Sequence, residues 1–179
     1  VRNRRIPRDP RQVARAGEIG VGVNRLIQPA EWARHKAVWI GFPSHPELWM
    51  DDIGPAREEV VAFARAVHAD GEGEKIILVA ADVEASDAAR KLAPFAEVIV
   101  EPFGDIWLRD TAPLFVSRTQ ARDFRFNGWG GKYDLPGDDD IGVRLGRSRR
   151  AAVESCEWVL EGGAIDGDGT GLVVTTEQC

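Results

Sequence analysis

The chain of 179 residues has only two cysteines, Cys156 and Cys179, which is too few for a disulfide framework. Cys156 lies beside Glu154 and Glu157, whose negative charge disfavours a thiolate, so an inert thiol is expected there rather than a nucleophile. Histidine is also scarce: His35, His45 and His68 lack the spacing of metal ligands. No stretch approaches the roughly 18 consecutive apolar residues of a membrane span, and no apolar segment follows the basic N-terminus. These absences predict a cytoplasmic protein with no membrane partner. A start at Val1 and an end at Cys179 suggest a chain that continues on both sides.

Charge of either sign is plentiful but uneven. Residues 1–25 carry seven arginines against Asp9 and Glu18, a net of +5, which leaves −11 on the remainder. A basic arm raises the question of nucleic acid. This arm has no aromatic residue to stack on a base, and the acidic body repels phosphates, so nucleic-acid binding is not expected. Residues 1–27 contain Pro7, Pro10, Gly17, Gly20 and Gly22 with neither helical nor strand periodicity, and read as a flexible arm. Residues 28–179 form the body, and a chain of 179 residues is long enough for one sizeable core or two small ones.

Within the body, AVWIGF (37–42), KIILVAA (75–81) and EVIV (97–100) are apolar runs of strand length. The continuous run in KIILVAA predicts a strand covered on both faces. Between them, residues 55–69 repeat apolar side chains at Val60, Phe63, Ala64 and Val67, a helical spacing with Pro55 and Glu58 suited to an N-terminus. Residues 84–93 predict a shorter helix ended by Pro94. Alternating strand and helix argue for an α/β fold. Past Pro113 the character changes to strand and loop, with strands expected at 114–116, 122–126, 158–160 and 172–176 and no convincing long helix.

The chemistry concentrates in GDIWLRDTAP (104–113), which holds Asp105, Trp107, Arg109 and Asp110 between two strands. One reading makes Arg109 a structural ion pair with Asp105 or Asp110. The other makes Trp107 an aromatic wall and Asp110 a carboxylate for a planar cation such as a guanidinium, which stacks on a face and offers its N–H fork in plane. VLEGG (159–163) sets Glu161 at a strand end before two glycines, which permit close backbone approach or a positive φ. A second acid beside Asp110 would complete a two-carboxylate site. Residues 166–177 imitate a calcium loop, but they lack flanking helices and contain the β-branched LVVTT, so a hairpin fits better.

The ordered motifs PAEW (29–32), GDIWLRDTAPLFV (104–116), FNGWGGKY (126–133), VLEGGAIDGDGTG (159–171) and TTEQC (175–179) resemble the agmatine deiminase family, relatives of bacterial peptidylarginine deiminases. The likeness spans about residues 28–179. It implies the N-terminal portion of a pentein-type α/β propeller, built from repeated ββαβ units around the reacting guanidinium. It also implies hydrolysis of agmatine to N-carbamoylputrescine and ammonia, a step of putrescine biosynthesis, with no metal or organic cofactor.

In that family a cysteine thiolate attacks the guanidinium carbon, ammonia leaves, and water assisted by a histidine hydrolyses the covalent intermediate. Matched by motif, Asp110 and Glu161 would be acids of the catalytic site that hold the guanidinium, and Trp107 would line the substrate channel. The family's G-H-x-D histidine and nucleophilic cysteine follow TTEQC, so this stretch is expected to bind rather than turn over substrate. Peptidylarginine deimination, or a non-catalytic binding or oligomerisation module, is the alternative. Such a portion, with uncovered strand edges, is expected to form homo-oligomers.

Overall fold

The structure is a computed structural model and describes residues 27–177; the expected arm at residues 1–27 lies almost entirely outside them. Three short β-rich runs, β1 (Val38–Gly41), β2 (Ile76–Ala80) and β3 (Glu97–Val100), pair in parallel in the order β1-β2-β3. The connections are α1 (Ile53–His68) and α2 (Val83–Leu92). α1 accommodates Pro55 in its first turn, where no intrahelical N–H is needed, and stops at Ala69, whose left-handed backbone returns its N–H to the Arg65 carbonyl. α2 is capped by Asp82, whose carboxylate accepts the Ala85 N–H at 2.8 Å.

Every residue of β2 is buried, as the apolar run predicts. Ile76, Leu78 and Ala80 face α1 and α2 and pack with Phe42, Val61, Ala64, Ala85 and Ala89. Val79 points to the opposite face, among Ala81, Phe103, Leu108, Ile141 and Leu145. Each buried Val, Leu, Ile or Phe side chain among them contributes about 1.5–3 kcal/mol, which makes this sheet the best-packed part of the described structure.

The polar stretch after β3 contains one helical turn, α3 (Leu108–Thr111), before β4 (Leu114–Phe115) and β5 (Gln120–Arg125). A single turn, α4 (Gly128–Gly131), and the helix α5 (Ile141–Ser148) precede β6 (Ala152–Val159). β4 is antiparallel to β5, and β5 is parallel to β6 with an irregularity between Phe124 and Arg125. Two expectations need correction here. The second half does contain a helix, α5, hidden in the sequence by Gly142 and Gly146, which lower helix propensity. Its Ile141 and Leu145 are completely buried and close the second face of the first sheet. β6 also begins at Ala152 rather than near Trp158, because its charged residues point to solvent and break the apolar run.

β7 (Ile165–Gly167) and β8 (Val173–Thr175) form an antiparallel hairpin. Asp168 closes the turn by accepting from the Thr170 N–H and hydroxyl at 2.8–2.9 Å. The resemblance to a calcium loop is thus a hairpin turn. Among the described residues no helix is long and apolar enough to cross a membrane.

Candidate active site

The GDIWLRDTAP stretch is held from below by Asp138, a buried residue of the loop before α5. Its Oδ1 accepts the Gly104 N–H at 2.8 Å and the Asp105 N–H at 3.3 Å. Burial raises the Asp138 pKa, while these two amide bonds pull the other way. His45 adds a ring N–H to the Phe103 carbonyl at 2.8 Å. The turn above is therefore anchored before its functional side chains begin.

Asp105 acts within that turn. Its Oδ1 accepts the Ile106 N–H at 2.7 Å and its Oδ2 the indole N–H of Trp107 at 2.9 Å. Trp107 is fixed at its polar edge while 53% exposed, which suits an aromatic wall open to solvent. Arg109 forms neither of the ion pairs weighed above. It pairs with Glu31 of the PAEW motif and donates to the Ile165 carbonyl at 3.4 Å. The nearest guanidinium in sequence is thereby drawn away from Asp110.

Asp110 is half-buried at the centre. Its Oδ1 accepts the backbone N–H of Gly163 at 3.0 Å, and its Oδ2 accepts the indole N–H of Trp129 at 3.0 Å. The first bond brings the segment of Glu161 against α3. Glu161 is also half-buried and opens the short turn Gly162–Ala164, its carbonyl accepting from Ala164 at 2.9 Å. Of the two explanations for the glycine pair, close approach is the one realised, since neither adopts a positive φ. A Cβ on Gly162 would strike the Arg109 carbonyl, and one on Gly163 would strike the Asp110 carboxylate. Any larger residue would part the two acidic segments.

Trp129 was not identified as a site residue from sequence, where FNGWGGKY reads as a Gly-rich loop. Its ring meets Phe126 and Tyr133 edge-on, with centroids 4.8 and 5.8 Å away. An indole amid glycines and flanked by aromatics was the available signal, but nothing local says which acid it reaches.

Other chemistry-bearing groups lie elsewhere. Cys156 is a free thiol on β6, in register with Phe124. Asp123 is a buried carboxylate on β5 whose pKa is raised to about 6, first by burial and then by Asp140. Among the described residues no group of His, Cys, Asp and Glu is arranged to hold a metal ion.

The arrangement is a carboxylate fixed by two neutral N–H donors, with a second acid in the adjoining segment and an exposed indole in the same turn. The chain that carries it is similar to known proteins. The chain is 34% identical over 168 residues to an agmatine deiminase of Stutzerimonas stutzeri, a match covering 84% of this chain and 43% of that protein. An agmatine deiminase of Medicago truncatula is 33% identical over 168 residues, with 84% and 44% covered. The chain thus spans less than half the length of the curated relatives it matches.

Among solved structures, a C. jejuni agmatine deiminase with substrate bound superposes with a TM-score of 0.67 at 25% identity, covering 83% of this chain and 45% of that one. A second C. jejuni agmatine deiminase structure gives 0.66 at 25% identity, with 86% and 46% covered. Both support a mixed α/β fold. The model of the Porphyromonas-type peptidyl-arginine deiminases matches residues 27–179, from the start of the described structure through the hairpin, and the chain therefore belongs to that family.

Proposed function

We propose that this chain supplies the guanidinium-binding acids of an agmatine deiminase, which hydrolyses agmatine with water to N-carbamoylputrescine and ammonia. Asp110 and Glu161 receive the substrate's N–H groups, and Trp107 lines the channel along which the cation enters. The observation that carries this reading is the state of Asp110. Both of its oxygens are held by neutral donors, Gly163 and Trp129, so the carboxylate is oriented while its charge stays available to a cation. A carboxylate offers about four acceptor positions; two of them remain for a bidentate guanidinium, whose planar fork suits this acceptor.

The reaction further needs a nucleophile and a histidine, which the family resemblance places after TTEQC. Neither Cys156 nor Cys179 is assigned that role, and the chain by itself is expected to bind agmatine without releasing ammonia. The same resemblance implies a five-fold propeller formed by the whole protein. In support, β4, β5, α5 and β6 make one ββαβ unit, and the β7–β8 hairpin has the form of the strand pair that would open another. In this reading residues 28–179 are part of one deiminase domain, cytoplasmic and self-associating, and residues 1–27 are a flexible basic arm.

The matching family is described by its peptidyl-arginine deiminases, which favours arginine within a peptide as the second reading. Calorimetric titration of the chain with agmatine and with an arginine-containing peptide distinguishes the two. Agmatine binding lost in Asp110→Asn and Glu161→Gln supports the proposal, and preferential capture of the peptide supports the second reading. Binding of neither leaves a non-catalytic module.

A further inference from the structure

We propose that Trp129 is a positioning residue for Asp110, held in an unfavourable left-handed turn so that a neutral donor orients the carboxylate without satisfying its charge. The inference rests on the reading of Asp110 as a guanidinium acceptor and extends it to how that acceptor is kept ready.

The backbone supplies the first observation. Residues 128–131 are consecutively left-handed, with φ of 65° at Gly128, 55° at Trp129, 77° at Gly130 and 80° at Gly131. Glycine adopts this conformation freely, whereas an L-residue with a Cβ loses roughly 1–2 kcal/mol there. Trp129 is the one member of the turn that incurs this cost. The turn is closed on both sides of it: the Asn127 side chain accepts the Gly130 N–H at 2.9 Å, and the Asn127 carbonyl accepts the Gly131 N–H at 2.9 Å. Strain of this kind, at a site otherwise built from glycine, points to a side chain whose placement matters.

The second observation is where the indole goes. Edge-on contacts with Phe126 and Tyr133 fix the plane of the ring, and its N–H meets Asp110 Oδ2 at 3.0 Å. Indole is a donor only, and it is uncharged. An arginine or lysine at this place would neutralise Asp110 and compete with a cationic ligand. The local arginine, Arg109, is occupied by Glu31 and Ile165 instead. Together with the amide of Gly163, Trp129 thus fixes the carboxylate rotamer and leaves the outward lone pairs facing the ligand.

The test uses the 179-residue chain labelled with 15N at its indole nitrogens, with agmatine as the probe. In the unaltered chain the Trp129 indole N–H resonance should lie downfield. It should move in Asp110→Asn and stay in place in Glu161→Gln, which a purely packing role for Trp129 would not produce. Trp129→Phe keeps the ring contacts and removes the donor, and should weaken agmatine binding on the order of 10- to 100-fold with a thermal midpoint near that of the unaltered chain. Unchanged affinity in Trp129→Phe, beside lost affinity in Asp110→Asn, overturns the positioning role and keeps the acid reading. So does an indole resonance indifferent to Asp110→Asn. Unchanged affinity in Asp110→Asn overturns the acid reading, and this inference falls with it.

Discussion

The two three-stranded sheets among the described residues are built on opposite terms. The first, β1 to β3, is covered on both faces, so that all of β2 is buried and its side chains divide between two cores. The second, β4 to β6, has an alternation of half-buried and exposed positions along β6, and the neighbouring β8 is exposed throughout. Trp158, Leu172 and Val174 are 58%, 63% and 64% exposed. The lesson lies in where the candidate site sits. Asp110 follows the firmly packed sheet in the chain, and Glu161 follows the open one. Their two segments meet where the Gly163 N–H donates to Asp110, a bond that ties the weaker region to the stronger at the point where the chemistry is proposed.

This contrast can be broken most forcefully in the first sheet. Leu78 is completely buried among α1, α2 and Phe42, so Leu78→Ala should cost about 2.7–5 kcal/mol. Chemical unfolding monitored by circular dichroism measures this, and a loss below about 1 kcal/mol would mean the region collapses onto the gap and is not close-packed.

An intermediate effect is expected from Asp123, which sits where the second sheet meets α5. Its carboxyl is raised from an ordinary 3.8 to about 6 by burial and by Asp140. A raised acid favours folding below its ordinary value, and that contribution is lost as pH rises through the folded value. Between about pH 4 and pH 7 the native chain should lose on the order of 1–3 kcal/mol relative to Asp123→Asn. Urea unfolding of both proteins across this range tests the sign. Parallel pH profiles would show that Asp123 ionises in the folded chain as it does in water.

The smallest effect belongs to the open region. Val174 points to solvent, and Val174→Ser should alter stability by no more than about 0.5 kcal/mol. A loss comparable with that of Leu78→Ala would show that β8 is buried in solution, for example in a dimer, and sedimentation of the same variant would reveal it.

The contrast also explains what was legible in the sequence. The first sheet was readable, strand for strand, because burial on both faces demands unbroken apolar runs, and α1 because its apolar side chains recur at helical spacing; its start was not, since the helix begins at Ile53 and carries no acid in its first turn. In the second region the signal fails where one face is wet. β6 carries Glu154, Ser155 and Glu157 outward and loses its apolar run, while α5 carries glycines where it packs closely, Gly142 against Asp123 and Gly146 against Val153.

At the candidate site, Trp107 and Asp110 stand out in the sequence because few structural needs place two carboxylates, a guanidinium and an indole in one turn-prone stretch, and Glu161 because it ends an apolar run before two glycines. Their partners do not. Arg109 to Glu31 spans 78 positions and Asp110 to Gly163 spans 53, and no local pattern reports pairings at such range. The Trp129 contact depends on a left-handed backbone at a residue that carries a Cβ, and its acceptor lies 19 positions away in the chain.

If Asp110 and Glu161 together grip a guanidinium, as proposed, agmatine affinity should register the loss of either acid across three variants. Changing either acid to its amide keeps the shape, removes a charge and presents a donor to the ligand's N–H groups. Asp110→Asn and Glu161→Gln should each weaken binding roughly 30- to several-thousand-fold. Asp105→Asn should have a much smaller effect, since that residue holds Ile106 and Trp107 rather than the ligand. Calorimetric titration of the three variants, with thermal unfolding to confirm that each is folded, gives the answer. A large loss in the first two and a small one in the third is the expected result; near-native affinity in both Asp110→Asn and Glu161→Gln would mean that neither acid holds the cation.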